Sequence, residues 1–198
     1  SLMAEITKSA PTQVISSTAK FALAGLAVAA YFVGLTLPLM GPDEPRYAQV
    51  AREMFDRGDW ITPTLGGSLW FEKPVLLYWL EKIAYHIFGV NVFSARLGPA
   101  LFGIGIVICL YMLGRSIGRG SLFAVIAAST VGIIAFAHGA SFDIILTLPI
   151  TASLAAYYLH QTSERRRSWL LAVYFFLGIG LLAKGLVGAI FPVGIIFF

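Results

Sequence analysis

Long apolar runs separated by short polar breaks make up most of this chain, with one exception near its beginning. Apolar runs cover about Lys20–Met40, Val92–Leu113, Ser121–His138, Ser141–His160 and Trp169–Ala183, and a further one starts at Gly185 and continues to Phe198. About 20 consecutive apolar residues cross a ~30 Å hydrocarbon core as a helix. The pattern therefore predicts an all-α, polytopic transmembrane helical bundle, in which the run after Gly185 is too short to cross as it stands. The exception is residues 41–91, where charge is dense and two amphipathic helices are expected. In the first, Tyr47, Val50, Ala51, Met54 and Phe55 recur at helical spacing. Pro45 suits its first turn and Gly58 its end, and Arg52/Asp56 and Glu53/Arg57 form i,i+4 pairs on the opposite face. The second runs from Pro74 to about Phe88, with Leu76, Leu77, Leu80, Ile83, Ala84, Ile87 and Phe88 as its apolar face and Tyr78 and Trp79 as interface anchors. Both are expected to lie on the membrane surface. The stretch 59–74 between them carries Pro63, Gly66, Gly67 and Pro74 and reads as an ordered loop.

Residues 1–19 form a polar tail, and 20–198 form one membrane domain in which 41–91 is the first external loop. The first apolar run is too long for the core of a cleavable leader and is expected to stay in place. The last run, ending in mid-pattern, makes the chain look like the front part of a larger protein. Glycine pairs inside the runs, Gly103/Gly105 and Gly178/Gly180, follow no strand and read as close-packing positions between helices.

Composition removes the soluble classes. Of 198 residues, 58% are hydrophobic and 12% charged, where soluble chains carry about 25% charged residues. The single cysteine, Cys109, lies in an apolar run, so no intramolecular disulfide can form. A net charge of +4 does not signal nucleic acid, because the cations occupy short loops and no basic stripe or nucleic-acid motif occurs. Their placement sets an orientation instead. Lys8, Lys20, Arg115, Arg119, Arg165, Arg166 and Arg167 fall on one side, and the short loops opposite hold only Lys184. The positive-inside rule then puts the N-terminus in the cytoplasm and 41–91 outside, in a bacterium the periplasm.

Candidate chemistry gathers on that outer side. Asp43 and Glu44 lie between Pro42 and Pro45 at the end of the first run. One of them can cap the helix that Pro45 opens. Equally, two ionisable groups beside hydrocarbon point to function, and desolvation there raises a carboxylate's pKa toward that of a general base. Arg46 and Lys73 suit a phosphate held at the membrane surface, or serve as ion-pair partners. Asp143 opens the fourth run on the same side, as a helix cap or a second acid, and Lys184 adds a cation at that level. His86, His138 and His160 are dispersed, which argues against a histidine metal site; a divalent metal at the outer acids stays open, and no other cofactor is indicated. A transporter is the rival class, although the paired broken helices of transporters are not evident.

The ordered set Gly41-Pro42-Asp43-Glu44-Pro45-Arg46-Tyr47, Glu53-Met54, Gly58-Asp59-Trp60, Trp70-Phe71-Glu72-Lys73-Pro74, Leu77-Tyr78-Trp79 and Ser94-Ala95-Arg96-Leu97, with the Lys184-Gly185 turn, resembles the bacterial aminoarabinose lipid A transferases. These belong with the protein-mannosyltransferase-like GT-C membrane glycosyltransferases. The likeness covers about residues 20–198 and is strongest from 41 to 97, with Val75 standing where the family often has a second proline. It implies a polyprenyl phosphate-linked sugar as donor, lipid A or another amphiphile as acceptor, and transfer at the periplasmic face of the bacterial inner membrane. Carried onto matching positions, Asp43 and Asp143 are the catalytic acids and Arg46 and Lys73 contact phosphate. Glu44, Tyr47, Tyr78 and Lys184 complete the expected substrate contacts.

Overall fold

The structure is a computed structural model that describes residues 25–164 and 166–198. The tail 1–19 and the first residues of the Lys20–Met40 run lie outside the described residues. Residues 25–30 are helical, and a separate compact unit comprises Tyr31–Phe198.

Helix α1, Asp43–Asp56, buries the face its periodicity predicts: Tyr47, Val50, Ala51 and Met54, together with Glu44. It stops at Gly58, which takes φ +67°, a left-handed conformation that glycine adopts without steric penalty. Neither acidic side chain caps it. Pro42 occupies the N-cap position with helical dihedrals, and Asp43 and Glu44 sit inside the first turn, where the helix dipole favours negative charge. Strands β1, Thr64–Leu65, and β2, Ser68–Leu69, pair antiparallel around Gly66-Gly67, so the predicted loop is a small hairpin.

Helix α2, Leu76–Phe88, begins two residues later than expected, and its expected apolar face is split: Leu77 and Ala84 are buried and Leu76 and Leu80 pack against the core, while Ile83, Ile87 and Phe88 are exposed. It buries Leu77, Tyr78, Glu81, Lys82, Ala84 and Tyr85, while Ile83 is 48% and Ile87 66% exposed. Apolar periodicity locates the core only when the surrounding solvent is water. Where the solvent is lipid tails, hydrocarbon has no reason to turn inward and polar groups do. Tyr78 is therefore fully enclosed rather than an interface anchor, and Trp79 donates its indole N–H to the Trp60 carbonyl at 2.6 Å.

The remaining helices are α3 (Val92–Ser116), α4 (Gly120–Ser129), α5 (Val131–Ala137), α6 (Phe142–Thr162), α7 (Arg166–Lys184) and α8 (Val187–Phe197). Among the described residues three helices, α3, α6 and α7, are long and apolar enough to cross a membrane, or four if α4 and α5 count as one span. That pair is the predicted run 121–138, broken by a 61° bend. At the break Thr130 leaves helical dihedrals, and the Ser129 and Thr130 hydroxyls donate to the carbonyls of Val125 and Ile126, a pattern that bends helices.

Helix α6 packs along α3 and α7, α1 lies on α2, and α2 on α3. Tyr47, Tyr78, Tyr85, Ile106, Phe142 and Ile145 belong to one core that joins these elements. Small residues set the close approaches. A Cβ on Gly103 would stand 2.6 Å from that of Ala137, and Gly180 meets the backbone of Gly188. Gly178, expected to pack likewise, has nothing within 4 Å among the described residues.

Candidate active site

Six charged side chains form an open rim over an aromatic floor. Arg46 Nη1 stands 3.4 Å from Asp43 Oδ1 and 3.9 Å from a Glu72 oxygen. Its guanidinium also lies over the Trp70 ring, 5.8 Å from the centroid. Lys73 Nζ reaches the other Glu72 oxygen at 3.3 Å. Across the floor, Lys184 Nζ donates to Asp143 Oδ1 at 2.9 Å. These pairs are half-exposed; Arg46, for example, keeps 32% of its side chain accessible. Weak, solvated pairs of this kind exchange readily for an incoming anion.

The floor is Tyr47, Tyr78 and Phe142. Phe142 presents its edge to both tyrosines, with centroids 4.9 Å from Tyr47 and 5.5 Å from Tyr78. Burial pushes the Tyr47 hydroxyl's pKa up, and the charges of Asp43 and Glu72, opposed by Arg46 and joined by Asp143, push it further. Tyr47 is thus the point at which residues from both sides of the rim are felt. Burial, helped by the Glu81 carboxyl, raises Tyr78 more strongly. Tyr78 was expected to touch substrate. Being wholly buried, it supports Tyr47 and Phe142 from beneath instead.

Glu44 also departs from expectation. Its side chain turns away from Asp43 into the interior, where Oε2 accepts from Met40 N at 2.6 Å and Arg96 Nη2 at 2.7 Å. Its Oε1 accepts from Ala140 N at 2.7 Å and Arg96 Nε at 3.3 Å. Arg96 spends its remaining donors on the carbonyls of Leu37 and Pro38. Burial alone would raise the pKa of Glu44, but these donors outweigh it and hold the group below its ordinary value. Nearby, Glu81 is fully buried and neither of its oxygens has a hydrogen-bond partner among the described residues. Burial first, and the charge on Glu44 second, raise its pKa well above the usual carboxylate range.

The segment carrying Trp70, Glu72 and Lys73 is tied down from two sides. Glu53 accepts from Thr64 Oγ1 at 2.6 Å, Gly66 N at 2.8 Å and Gly67 N at 3.3 Å, which fixes the hairpin tip to α1. The Thr64 hydroxyl first, joined by the other donors and opposed by partial burial, lowers the pKa of Glu53 to about 2. Lys82, buried beneath the loop, donates to the Asp59 carbonyl at 2.8 Å and lies 4.1 Å from the Trp60 ring centroid. The predicted pairs Arg52–Asp56 and Glu53–Arg57 both form, at 3.8 and 4.0 Å.

Among the described residues no three His, Cys, Asp or Glu side chains come together as a metal-binding group. An apolar cavity of about 410 Å³ lies between α3, α4 and α6, lined by residues such as Leu113, Phe123 and Leu154. Its lining carries no carboxylate or amine.

The profile of the dolichyl-phosphate-mannose-protein mannosyltransferase family matches residues 20–198. The chain belongs to this family. Curated relatives carry the name undecaprenyl phosphate-alpha-4-amino-4-deoxy-L-arabinose arabinosyl transferase. That of Shewanella sediminis is 36% identical over 78% of this chain and 30% of its own length. That of Yersinia enterocolitica is 33% identical over 78% of this chain and 29% of its own length. Two solved structures of ArnT from Cupriavidus metallidurans share the fold, each with 36% of its chain covered. The apo form gives a TM-score of 0.85 at 30% identity over 91% of this chain. The form bound to undecaprenyl phosphate gives 0.83 at 31% over 92%. The chain thus spans about a third of the length of the relatives it matches, and it is a multi-pass, all-α membrane protein of their fold.

Three residues important to this arrangement stand in the motifs and pairs read from the sequence without a role at the site being assigned to them. Glu72 joins Arg46 to Lys73, Glu53 holds the hairpin, and Arg96 holds Glu44. For Arg96 a signal existed: an arginine four residues into an apolar run has to find a partner inside the protein.

Proposed function

We propose that the chain carries the catalytic face of a membrane glycosyltransferase that moves a sugar, 4-amino-4-deoxy-L-arabinose, from polyprenyl phosphate to a lipid A phosphate. Under this reading the face is periplasmic and the membrane is the bacterial inner membrane. The observation that carries the proposal is the convergence of Arg46, Lys73 and Lys184, each partly exposed and only loosely paired, over the Tyr47–Phe142 floor. Three cations above an aromatic surface suit phosphate groups joined to apolar or sugar moieties. The relative that matches with undecaprenyl phosphate bound supports the donor.

The chemistry is a displacement at the anomeric carbon. An acceptor phosphate oxygen forms the new bond to that carbon, the bond to the donor phosphate breaks, and its electron pair leaves with polyprenyl phosphate. A phosphomonoester with a second pKa near ~6 is already ionised at neutral pH and needs no base. The protein's task is therefore to position the reactants and to neutralise charge, which falls to Arg46 and Lys73. Asp43, 3.4 Å from Arg46, orients that guanidinium. Asp143 does the same for Lys184.

The test uses the full-length gene product in a strain lacking the activity, with lipid extracts read by mass spectrometry. Addition of an amino-pentose mass to lipid A supports the proposal, and Asp43→Asn is expected to lower turnover about 100-fold without recovery at higher pH. Recovery at higher pH would instead make Asp43 a base acting on a hydroxyl acceptor. Unmodified lipid A in the presence of donor would overturn the assignment of acceptor.

A further inference from the structure

Glu44 and Arg96 are absorbed by neither the charged rim nor the aromatic floor, yet they form a fully bonded polar group that is buried inside the protein. Four donors converge on the Glu44 carboxylate: two from Arg96 on α3, the backbone N–H of Met40 before α1, and the backbone N–H of Ala140 before α6. Arg96 closes the ring through the Leu37 and Pro38 carbonyls. Three stretches distant in sequence are thereby joined at one carboxylate. Asp43 is the immediate neighbour of Glu44, and Asp143 follows Ala140 by three residues. The absent side chain of Gly139 leaves the space: a Cβ there would stand 3.3 Å from Glu44 Oε1.

A buried ion pair contributes little to stability on balance, because desolvation of both charges offsets their attraction. Its value lies in geometry. A carboxylate with all its lone pairs occupied by donors from three segments has one position, and the segments inherit it.

We infer that Glu44 and Arg96 are positioning residues for the transfer reaction: Arg96 holds the Glu44 carboxylate in place, that carboxylate ties α1 to the start of α6 through the Ala140 N–H, and the separation of Asp43 from Asp143 across the floor is set thereby. The inference rests on the proposed function for its catalytic meaning, but its geometric content does not depend on which sugar or acceptor is used. It also replaces the expectation that Glu44 binds substrate. A substrate-binding carboxylate would be open to the rim, whereas this one is 8% exposed as a residue and saturated with donors.

Two measurements test it on the full-length protein. In the first, Glu44→Gln and Arg96→Lys are assayed for transfer. Glutamine keeps the shape but sets an amide N–H against donors, and lysine keeps the charge but loses the fork that reaches Glu44 and two carbonyls together. The expected result is a fall in kcat of about 10- to 100-fold, as for a small misplacement of catalytic groups, with donor KM changed less than about three-fold. A raised KM with unchanged kcat would overturn the inference and return Glu44 to substrate binding. Unchanged kinetics in both variants would overturn it outright.

In the second, nitroxide labels at Gln49→Cys and Thr147→Cys, in a Cys109→Ala background, report the α1–α6 distance by pulsed electron resonance in detergent. Both label sites are exposed. One narrow distance is expected with the native pair, and a shifted or broadened distribution with Arg96→Lys, which retains the buried charge and is the gentler change. An identical distribution refutes the inference even if the assay never detects sugar transfer. A shifted one, with no transfer to lipid A by the native protein, upholds the geometry and refutes only the proposed function.

Discussion

Replacing Glu53 by Gln should loosen the outer hairpin without unfolding the protein. The Glu53 carboxylate accepts from the Thr64 hydroxyl and the Gly66 and Gly67 amides, and also from Gln49 Nε2 at 3.1 Å. Strands of two residues have no stability of their own, so this carboxylate holds the turn. The two glycine amides are exposed and would bond water instead. The Thr64 bond is part-buried, and hydrogen bonds to a charged group contribute about 1.5–3 kcal/mol. Loss of about 2 kcal/mol shifts the local opening equilibrium about 30-fold. Hydrogen exchange followed by mass spectrometry should show amides in peptides spanning 62–70 exchanging about 30-fold faster, with α3 and α6 unchanged. The pH dependence has a definite sign. The folded pKa of Glu53 is about 2 against an ordinary 4.5, so the tie is fully present above about 4.5 and is lost as pH falls toward 2. Equal exchange in the two proteins at neutral pH would refute the assignment of the hairpin's stability to Glu53.

Two other expectations follow from buried groups. Burial raises the pKa of Glu81 in the folded state above its ordinary value of 4.5, so from about that pH the unfolded form releases a proton more readily than the folded form. Stability contributed by the native residue therefore falls as pH rises past that value. Glu81→Gln should gain in melting temperature relative to the native protein as pH rises above the ordinary carboxylate range, and a difference that does not change with pH would contradict a raised pKa. Gly103→Val drives a side chain into Ala137 and the Tyr31 ring and should cost about 1–3 kcal/mol in a detergent melt, whereas Gly178→Ala should be silent.

The sequence disclosed helices better than it disclosed their surroundings. The α1 face was readable because Tyr47, Val50, Ala51 and Met54 pack against other protein, the condition that periodicity assumes. The same rule was half right for α2, where Leu77 and Ala84 pack inward but Ile83 and Ile87 face the medium, and the medium is not water. Span ends were close: α3 starts at Val92 as expected and runs on to Ser116. The Thr130 break was hidden, since no proline marks it and the bend coincides with hydroxyls bonding backward. At the site, Asp43, Arg46 and Lys73 stood together in recognisable motifs. The partnership of Glu44 with Arg96 spans 52 positions, and no local spacing can reveal it. Adjacency misled here, because consecutive residues on a helix point about 100° apart. Asp43 faces the rim while Glu44 faces the core.

The mixed polarity of α2, with Glu81 and Lys82 buried and Ile83 and Ile87 exposed, has a consequence for how the loop 41–91 can be handled. A segment between two membrane spans invites expression as a soluble fragment, an epitope or a crystallisation target. Here that would fail for a physical reason. Freed from its neighbours, α2 would bring Ile83, Ile87 and Phe88 into water on one side and Glu81, Tyr78 and Tyr85, now buried, on the other. The loop is a piece of the membrane domain that happens to lie at its edge. It acquires its shape only when lipid covers one face and α3 and α6 cover the other.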